Sequence, residues 1–282
     1  MRIDLHTHSC VSDGTESPGE VVRAAAAAGL DVVALTDHDQ TAGWAEAAAA
    51  AASAGIGFIP GMEISCRSSD GISVHLLCYL HDPADAELVA ELDAARSSRQ
   101  TRARRMVEIL AEDFPLTWDM VQEQTHDGAT IGRPHIADAL VAAGVVVDRS
   151  HAFATILTPR SRYYVGHYAV DAARAVRLVR QAGGVPVFAH PVASARGRVV
   201  GQPVFTELIE AGLLGVEIAH RDNPEDGRRF LRQLAAEHDL IVTGSSDYHG
   251  AGKPNRLGEH LTEPAQLERL LAAGSGSAAV GL

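Results

Sequence analysis

The sequence predicts an α/β fold in which β/α units surround a largely parallel sheet or barrel, interrupted by a mainly helical insert. Two observations carry this. Strand and helix patterns alternate at a regular interval over the first eighty residues and again after about residue 167. Between them, 113–165 breaks the rhythm, with Pro115, Pro134 and Pro159 and few strand signals. The expected organisation is therefore a first barrel part at 1–96, a helical insertion subdomain at 97–166 and a second barrel part at 167–282. A length of 282 residues suits one large domain or two modest ones.

Each element has a local reason. Residues 3–5 form a short apolar run. Ser17 opens a helix with Pro18 at its first position and Glu20 in capping-box register, and that helix ends near Gly29. DVVALT at 31–36 reads as a buried strand. An alanine-rich helix follows at 44–54 and stops at Gly55, and strands are expected at 57–64 and 72–80. Residues 84–112 read as one long charged helix, whose arginines from Arg96 to Arg105 are expected on a solvated face. Within the insert, a helix is expected around 135–143. The rhythm then resumes with helices at 170–182, 203–211, 224–238 and near 263–272, and strands at 185–189, 214–219 and 240–244. The tail GSGSAAVGL reads as a loose end or a late strand.

Composition narrows the function. Lys and Arg total 24 against 36 Asp and Glu, a formal charge of -12, which argues against a broad surface for duplex DNA. A small anionic substrate held by a few basic groups or by metal ions remains compatible. The three cysteines are odd in number and lack C-x-x-C spacing, so a reducing, cytoplasmic protein without disulfides is expected. The first residues carry charge and no apolar signal core. The alanine runs at 24–28 and 47–52 are too short to span a bilayer.

The placement of histidines is the informative feature. His6 and His8 follow the first strand, spaced by two, so both imidazoles face one way from an extended backbone. Asp13 follows in the loop VSDG. Asp37 and His38 follow the second strand, Glu63 ends the third, His75 lies in the fourth, His190 follows VPVFA, and Asp247 and His249 follow LIVTG. In a parallel α/β barrel the carboxyl ends of strands converge on one face, where active sites are built. Imidazole and carboxylate without thiolate suit zinc, manganese or iron. Nine candidate ligands exceed one four-coordinate zinc and suit two or three ions sharing a bridging carboxylate. His81, His126, His151, His167, His220, His238 and His260 lack this placement and are expected to be solvated or structural. Cys66 is expected to act as a small buried hydrophobe.

The motifs DLHTHS with SDG at 4–14, LTDHD at 35–39, GMEIS at 61–65, the histidine of VHLLCY, AHP at 189–191 and GSSDYHG at 244–250 resemble the PHP family, named for polymerase and histidinol phosphatase domains. IGRPHIADALV at 131–141 and SRYYV at 161–165 resemble the subgroup that hydrolyses nucleoside 3′,5′-bisphosphates and trims short RNA from its 5′ end. The resemblance implies a distorted seven-stranded TIM-like barrel with a helical insert over its mouth. It also implies a site for two to three divalent ions, often manganese. It places His6, His8, Glu63 and Asp247 on one ion, Asp13, His38 and His190 on a second, and His75 and His249 with bridging Glu63 on a third. Asp37, His190 and Asp247 are the expected catalytic residues, with protons relayed by Asp37 or by a bound water. The expected chemistry is attack of a metal-activated hydroxide on phosphorus.

On the substrate side, Arg133 and His135 are candidate phosphate ligands. Arg162 is a further candidate, as are Arg196 and Arg198 in the loop after His190. Tyr163 and Tyr164 are candidates for stacking on a base, or else for packing the insert onto the barrel, since adjacent positions seldom face the same way. The expected partner is a phosphorylated small molecule, nucleotide or short RNA. The runner-up activity is histidinol-phosphate phosphatase. An amidohydrolase-type C–N hydrolase ranks lower, because Lys253, the one lysine, falls after the last motif and does not suit a metal-bridging role. A non-catalytic nucleotide sensor ranks last.

Overall fold

Short apolar runs such as Val32–Leu35 and Val185–Phe188 are buried along their whole length, as strands covered on both faces must be. In a computed structural model, which describes residues 1–125, 131–166 and 168–282, these runs become neighbours in one sheet. The strands are β1 (Ile3–Asp4), β2 (Val32–Leu35), β3 (Gly57–Arg67), β4 (Ser73–Tyr79), β5 (Val170–Asp171), β6 (Val185–Phe188), β7 (Gly215–Ala219) and β8 (Ile241–Gly244). Seven of them run in the order β1-β2-β3-β4-β6-β7-β8, and β5 pairs with the end of β3. The sheet curls until the chain beyond β8 meets the chain beyond β1. There Thr7 and Tyr248 form a parallel bridge, and the His8 N–H donates to the Tyr248 carbonyl at 2.8 Å. The result is a nearly closed seven-stranded barrel.

One strand departs from the parallel pattern. β4 is antiparallel to both neighbours, β3 and β6. Only a short turn separates β3 from β4, closed by the Ser68 N–H donating to the Ile72 carbonyl at 2.9 Å, with Gly71 at φ +77°. A parallel return needs a crossover of a dozen or more residues, so this connection can only be a hairpin. β3 also runs on past Glu63 to Arg67 instead of ending there.

The outer helices present periodic apolar faces. In α7 (Ala172–Gln181) Ala173, Val176 and Val179 are buried while Arg174, Arg177 and Arg180 are exposed. α1 (Pro18–Ala27) starts with the capping box of Ser17 and Glu20. The last residues do pair: Val280 bridges antiparallel to Phe58.

α3 (Ala86–Leu110) is one continuous helix that crosses the expected boundary at residue 97. Its first half packs Leu88 and Leu92 into the barrel core with Val176 and Val179. Its second half packs Met106, Val107 and Leu110 into a separate core with Val121, Ile136, Leu140 and Leu157. That second core joins α4 (Trp118–Gln122), α5 (Arg133–Ala142) and α6 (Arg149–Thr155). Truncating a core residue such as Met106 or Leu140 to Ala is worth about 2–5 kcal/mol. The arginines of α3 do not all face solvent as the sequence suggested. Arg99 pairs with Asp39 at 2.7 Å, Arg96 donates to the Asp39 carbonyl at 2.7 Å, and Arg102 is 7% exposed. Among the described residues no helix is long and apolar enough to cross a membrane. His126 and His167 lie outside the described residues.

Candidate metal centre

Each histidine and carboxylate of the motifs is delivered to one rim of the barrel. The chain beyond β1 brings His6 and His8, both fully buried, and the chain beyond β2 brings His38. Glu63 lies within β3, and its backbone bridges to His38. His75 comes from the amino end of antiparallel β4, paired with Ser65, so it reaches this rim from the opposite strand end to the one expected. The chain beyond β6 brings His190, and that beyond β8 brings Asp247 and His249.

Glu63 is the hub. Its Oε1 lies 2.7 Å from His75 Nδ1 and 3.2 Å from His190 Nε2. Its Oε2 lies 3.3 Å from His6 Nε2, 3.1 Å from His8 Nε2 and 3.4 Å from His38 Nδ1. Asp247 Oδ1 faces His6, His8 and His249 at 3.5, 3.4 and 3.5 Å. Asp13 faces His249 Nε2 at 3.2 Å, His8 Nδ1 at 3.8 Å and His38 Nε2 at 3.9 Å. Three sets bring one ligand atom from each member within 4.8 Å of the others: His6, His8 and Asp247; His8, Asp13, His38 and His249; and His38, Glu63 and His75.

Within this cluster His249 and His190 exchange the positions expected of them. His249 sits beside Asp13 and His38, while His190 sits on the Glu63 oxygen that also faces His75. The chain reversal after β8 explains the first placement. Asp247 takes φ +54°, and the His249 carbonyl accepts from Thr15 N–H at 3.2 Å, which turns the segment toward the Asp13 loop. His190, at φ +29°, is likewise in a region that side-chain-bearing residues avoid. Strain of about 1–3 kcal/mol per such residue is tolerated where the surroundings hold it for a function.

The donors fit divalent ions. His6 Nε2 and His8 Nε2 approach each other at 3.0 Å. His38 Nδ1 and His249 Nε2 are buried without a hydrogen-bond partner, although a carboxylate oxygen lies 3.4 and 3.2 Å away. Lone pairs facing one another and facing carboxylates are what a cation between them would satisfy. Charge is divided accordingly. Burial opposes ionisation of Glu63, but the surrounding imidazoles of His75, His38 and His6 hold it well below the usual range. Burial likewise opposes a charge on His8, and Asp247 and Glu63 overcome it, lifting its pKa to about 9. Burial, reinforced by Arg196, pushes His190 down to about 3.

Two buried residues join this centre that sequence reading missed or set aside. Glu217, pointing inward from β7, takes His6 Nδ1 at 3.0 Å and accepts from the His190 N–H at 2.8 Å and from the Ser245 hydroxyl. Such a partner fixes which imidazole nitrogen is free to ligate. Burial alone would raise its pKa, but His6 and His220 pull it down to about 2. A glutamate inside the apolar run of LGVEIA was the available signal. His220, expected to be structural, is fully buried with its Nε2 3.5 Å from Asp247 Oδ2.

The remaining candidates divide. Asp37, expected as a proton relay, spends its carboxylate on the Ser9 N–H at 2.8 Å and on the Ser9 and Ser12 hydroxyls at 2.6 Å each, shaping the loop that carries Asp13. His135 is buried; its Nδ1 accepts the Gly132 N–H at 3.1 Å, and it also bonds the Ser12 backbone. Arg149 of α6 donates to the Asp13 carbonyl at 3.0 Å. Arg196 holds Asp247 Oδ2 and Asp222 at 2.6 Å each. Arg198 is exposed, and no hydrogen bond or ion pair ties it to the centre among the described residues. Arg162 is not brought to the cluster. It is mostly exposed and pairs with Asp113 and Glu112 beyond the end of α3, about 16 Å along the helix from Arg99. Tyr163 packs there with Phe114, whereas Tyr164 turns back toward Arg102 and Arg133.

Comparison with known proteins agrees with this architecture. The PHP domain model matches residues 4–128. A 3′,5′-nucleoside bisphosphate phosphatase of Chromobacterium violaceum is 37% identical over 90% of this chain and 89% of its own length. A 5′-3′ exoribonuclease of Haemophilus influenzae is 32% identical, covering 92% and 94%. A solved Bifidobacterium adolescentis structure, described as a metal-dependent phosphoesterase, superposes with a TM-score of 0.94 at 43% identity, covering 97% and 96%. The chain belongs to the PHP family. It is a metal-dependent hydrolase of phosphoric esters.

Proposed function

We propose that the chain hydrolyses nucleoside 3′,5′-bisphosphates, such as phosphoadenosine phosphate, to the nucleoside monophosphate, and acts on short 5′-phosphorylated RNA. One observation carries this beyond general phosphoester chemistry. Beside the histidine cluster lies a group of arginines suited to a second phosphate. Arg133, Arg99 and Arg67 all lie near enough to Arg102 to repel it, and burial with that repulsion lowers the Arg102 pKa to about 10. Among the described residues only Arg99 has a carboxylate partner, Asp39. The group adjoins the centre through Asp39, next to His38, and through Ser65, which pairs with His75 and also contacts Arg99. Tyr164 lies 5.1 Å from Arg102 and 6.0 Å from Arg133, an aromatic face in the same place. A substrate with two phosphates separated by a ribose fits this pair of regions better than a small amine phosphate does.

His6, His8, Glu63 and Asp247 would hold one divalent ion, Asp13, His38 and His249 a second, and His75 and His190 with Glu63 a third. Manganese is the first choice, with zinc or iron as alternatives. Such ions lower the pKa of bound water and neutralise phosphoryl oxygens. The chain's own residues supply the rest. Glu217 fixes the His6 tautomer, Asp37 shapes the Asp13 loop, and the arginine group holds the phosphate that does not react. The test is phosphate release from adenosine 3′,5′-bisphosphate with manganese, beside adenosine 3′-monophosphate and histidinol phosphate. The bisphosphate should turn over fastest. Good turnover of histidinol phosphate with none of the bisphosphate would overturn the assignment.

A further inference from the structure

Lys253 is the one lysine in the chain, and it lies at the metal centre. Its Nζ stands 3.0 Å from Asp247 Oδ2, while Asp247 Oδ1 faces His6, His8 and His249. The ammonium is therefore one carboxylate away from the imidazole cluster. Its side chain is one-third exposed, so it borders the open side of the rim.

The placement is built. Lys253 follows the short turn Gly250–Gly252, which the Gly252 N–H closes onto the His249 carbonyl at 3.1 Å. Two residues on, the buried Asn255 amide donates to the Ser246 carbonyl at 2.7 Å. Gly250 sits at φ +61°, and a Cβ there would meet the Thr15 hydroxyl, so the turn is pressed against the Asp13 loop. A lysine on a loop pinned at both ends does not sample solvent freely.

Its donors are not all engaged. Asp247 Oδ2 receives Arg196 at 2.6 Å as well as Lys253, and Asp222 is the other carboxylate on Arg196. One carboxylate oxygen shared by two cations leaves ammonium donors free, since Lys carries three. A tetrahedral dianion arriving at the centre would use them, and a point charge on a flexible stem suits a group that moves during reaction.

We propose that Lys253 is a phosphoryl-contacting cation, binding a peripheral oxygen of the phosphomonoester that reacts. It rests on the phosphoester reading above, and adds a residue that the metal motifs do not include. The alternative is a lysine that only orients Asp247.

The lone lysine makes a direct test available. The metal-free protein, the protein with manganese, and the protein with manganese and inorganic phosphate are treated with an amine-acylating reagent. Modification of Lys253 is followed by peptide mass spectrometry, with the N-terminal amine as internal control. Phosphate should slow Lys253 modification about tenfold relative to manganese alone, the scale of one charged hydrogen bond. Lys253→Gln should keep its manganese content and raise KM and the phosphate inhibition constant about tenfold. Lys253→Arg should recover most of that loss. Equal modification with and without phosphate would overturn the proposal. So would a Lys253→Gln variant that loses manganese in step with activity. Protection without bisphosphate turnover would sink the substrate assignment alone, and turnover without protection would sink only the role of Lys253.

Discussion

Arg149 of the insert holds the Asp13 loop of the barrel directly. Its Nη1 donates to the Asp13 carbonyl at 3.0 Å, while Nε and Nη2 grip both oxygens of Asp138. His135 meets the same loop at Ser12. The insert therefore helps to set where one candidate ligand points. Arg149→Ala should weaken manganese binding about tenfold to a hundredfold, the usual cost of losing a ligand's supporting hydrogen bond. Arg149→Lys should not restore it, because an ammonium cannot span both Asp138 oxygens and the carbonyl. Titration of manganese against each folded variant checks this.

Glu63 meets five imidazoles, and removing its charge should disassemble the centre. Glu63→Gln is expected to lose at least about a hundredfold in phosphoester turnover and to retain less metal after gel filtration. A variant with full metal content and near-normal turnover would contradict the geometry. Metal removal should act the same way on stability. Ions that bind only the folded chain add about 2.7 kcal/mol at a hundredfold excess over Kd, so chelation should lower Tm and manganese should restore it.

Glu217 supports the cluster from behind. Glu217→Gln can keep one oxygen facing His6 and the Ser245 hydroxyl, but it puts an amide NH2 against the His190 N–H and loses the charge that stabilises a cationic neighbourhood. Manganese affinity should fall about tenfold or more with the fold intact. Equal affinity in the variant would reduce Glu217 to a packing role.

His81 sets a pH dependence away from the rim. It lies buried with Nδ1 3.0 Å from Cys78 Sγ and its ring edge-on to Trp44. Burial pulls its pKa from 6.5 down to about 4. The folded chain thus holds fewer protons there than the unfolded chain. The stability contributed by neutral His81 is complete above pH 6.5 and is lost as pH falls toward 4. The loss amounts to about 3 kcal/mol across the window. His81→Gln should flatten the urea-denaturation stability between those pH values relative to the parent.

Much of the rim could be read from the sequence because strand ends announce themselves. An apolar run followed at once by H-x-H, D-H or D-x-H leaves little freedom about where those side chains go. The residues that escaped are those whose role depends on a neighbour far along the chain. Arg99 looks like any arginine on a charged helix until Asp39 is brought against it. His220 and Lys253 acquire meaning only from Asp247. The antiparallel β4 was within reach: RSSDG between two apolar runs is a hairpin signal, and it is too short for a crossover. The exchange between His190 and His249 was not, because it turns on two backbone angles that residue type does not dictate.

The unbroken run of α3 from barrel wall to insert has a mechanical consequence. A helix flexes only slightly without giving up its i to i−4 bonds, so it does not serve as a hinge. At this junction the insert swings no further than the helix bends. Met106 and Leu88, one in each core, are thus beads on a single stiff rod, and a push on one end is felt at the other.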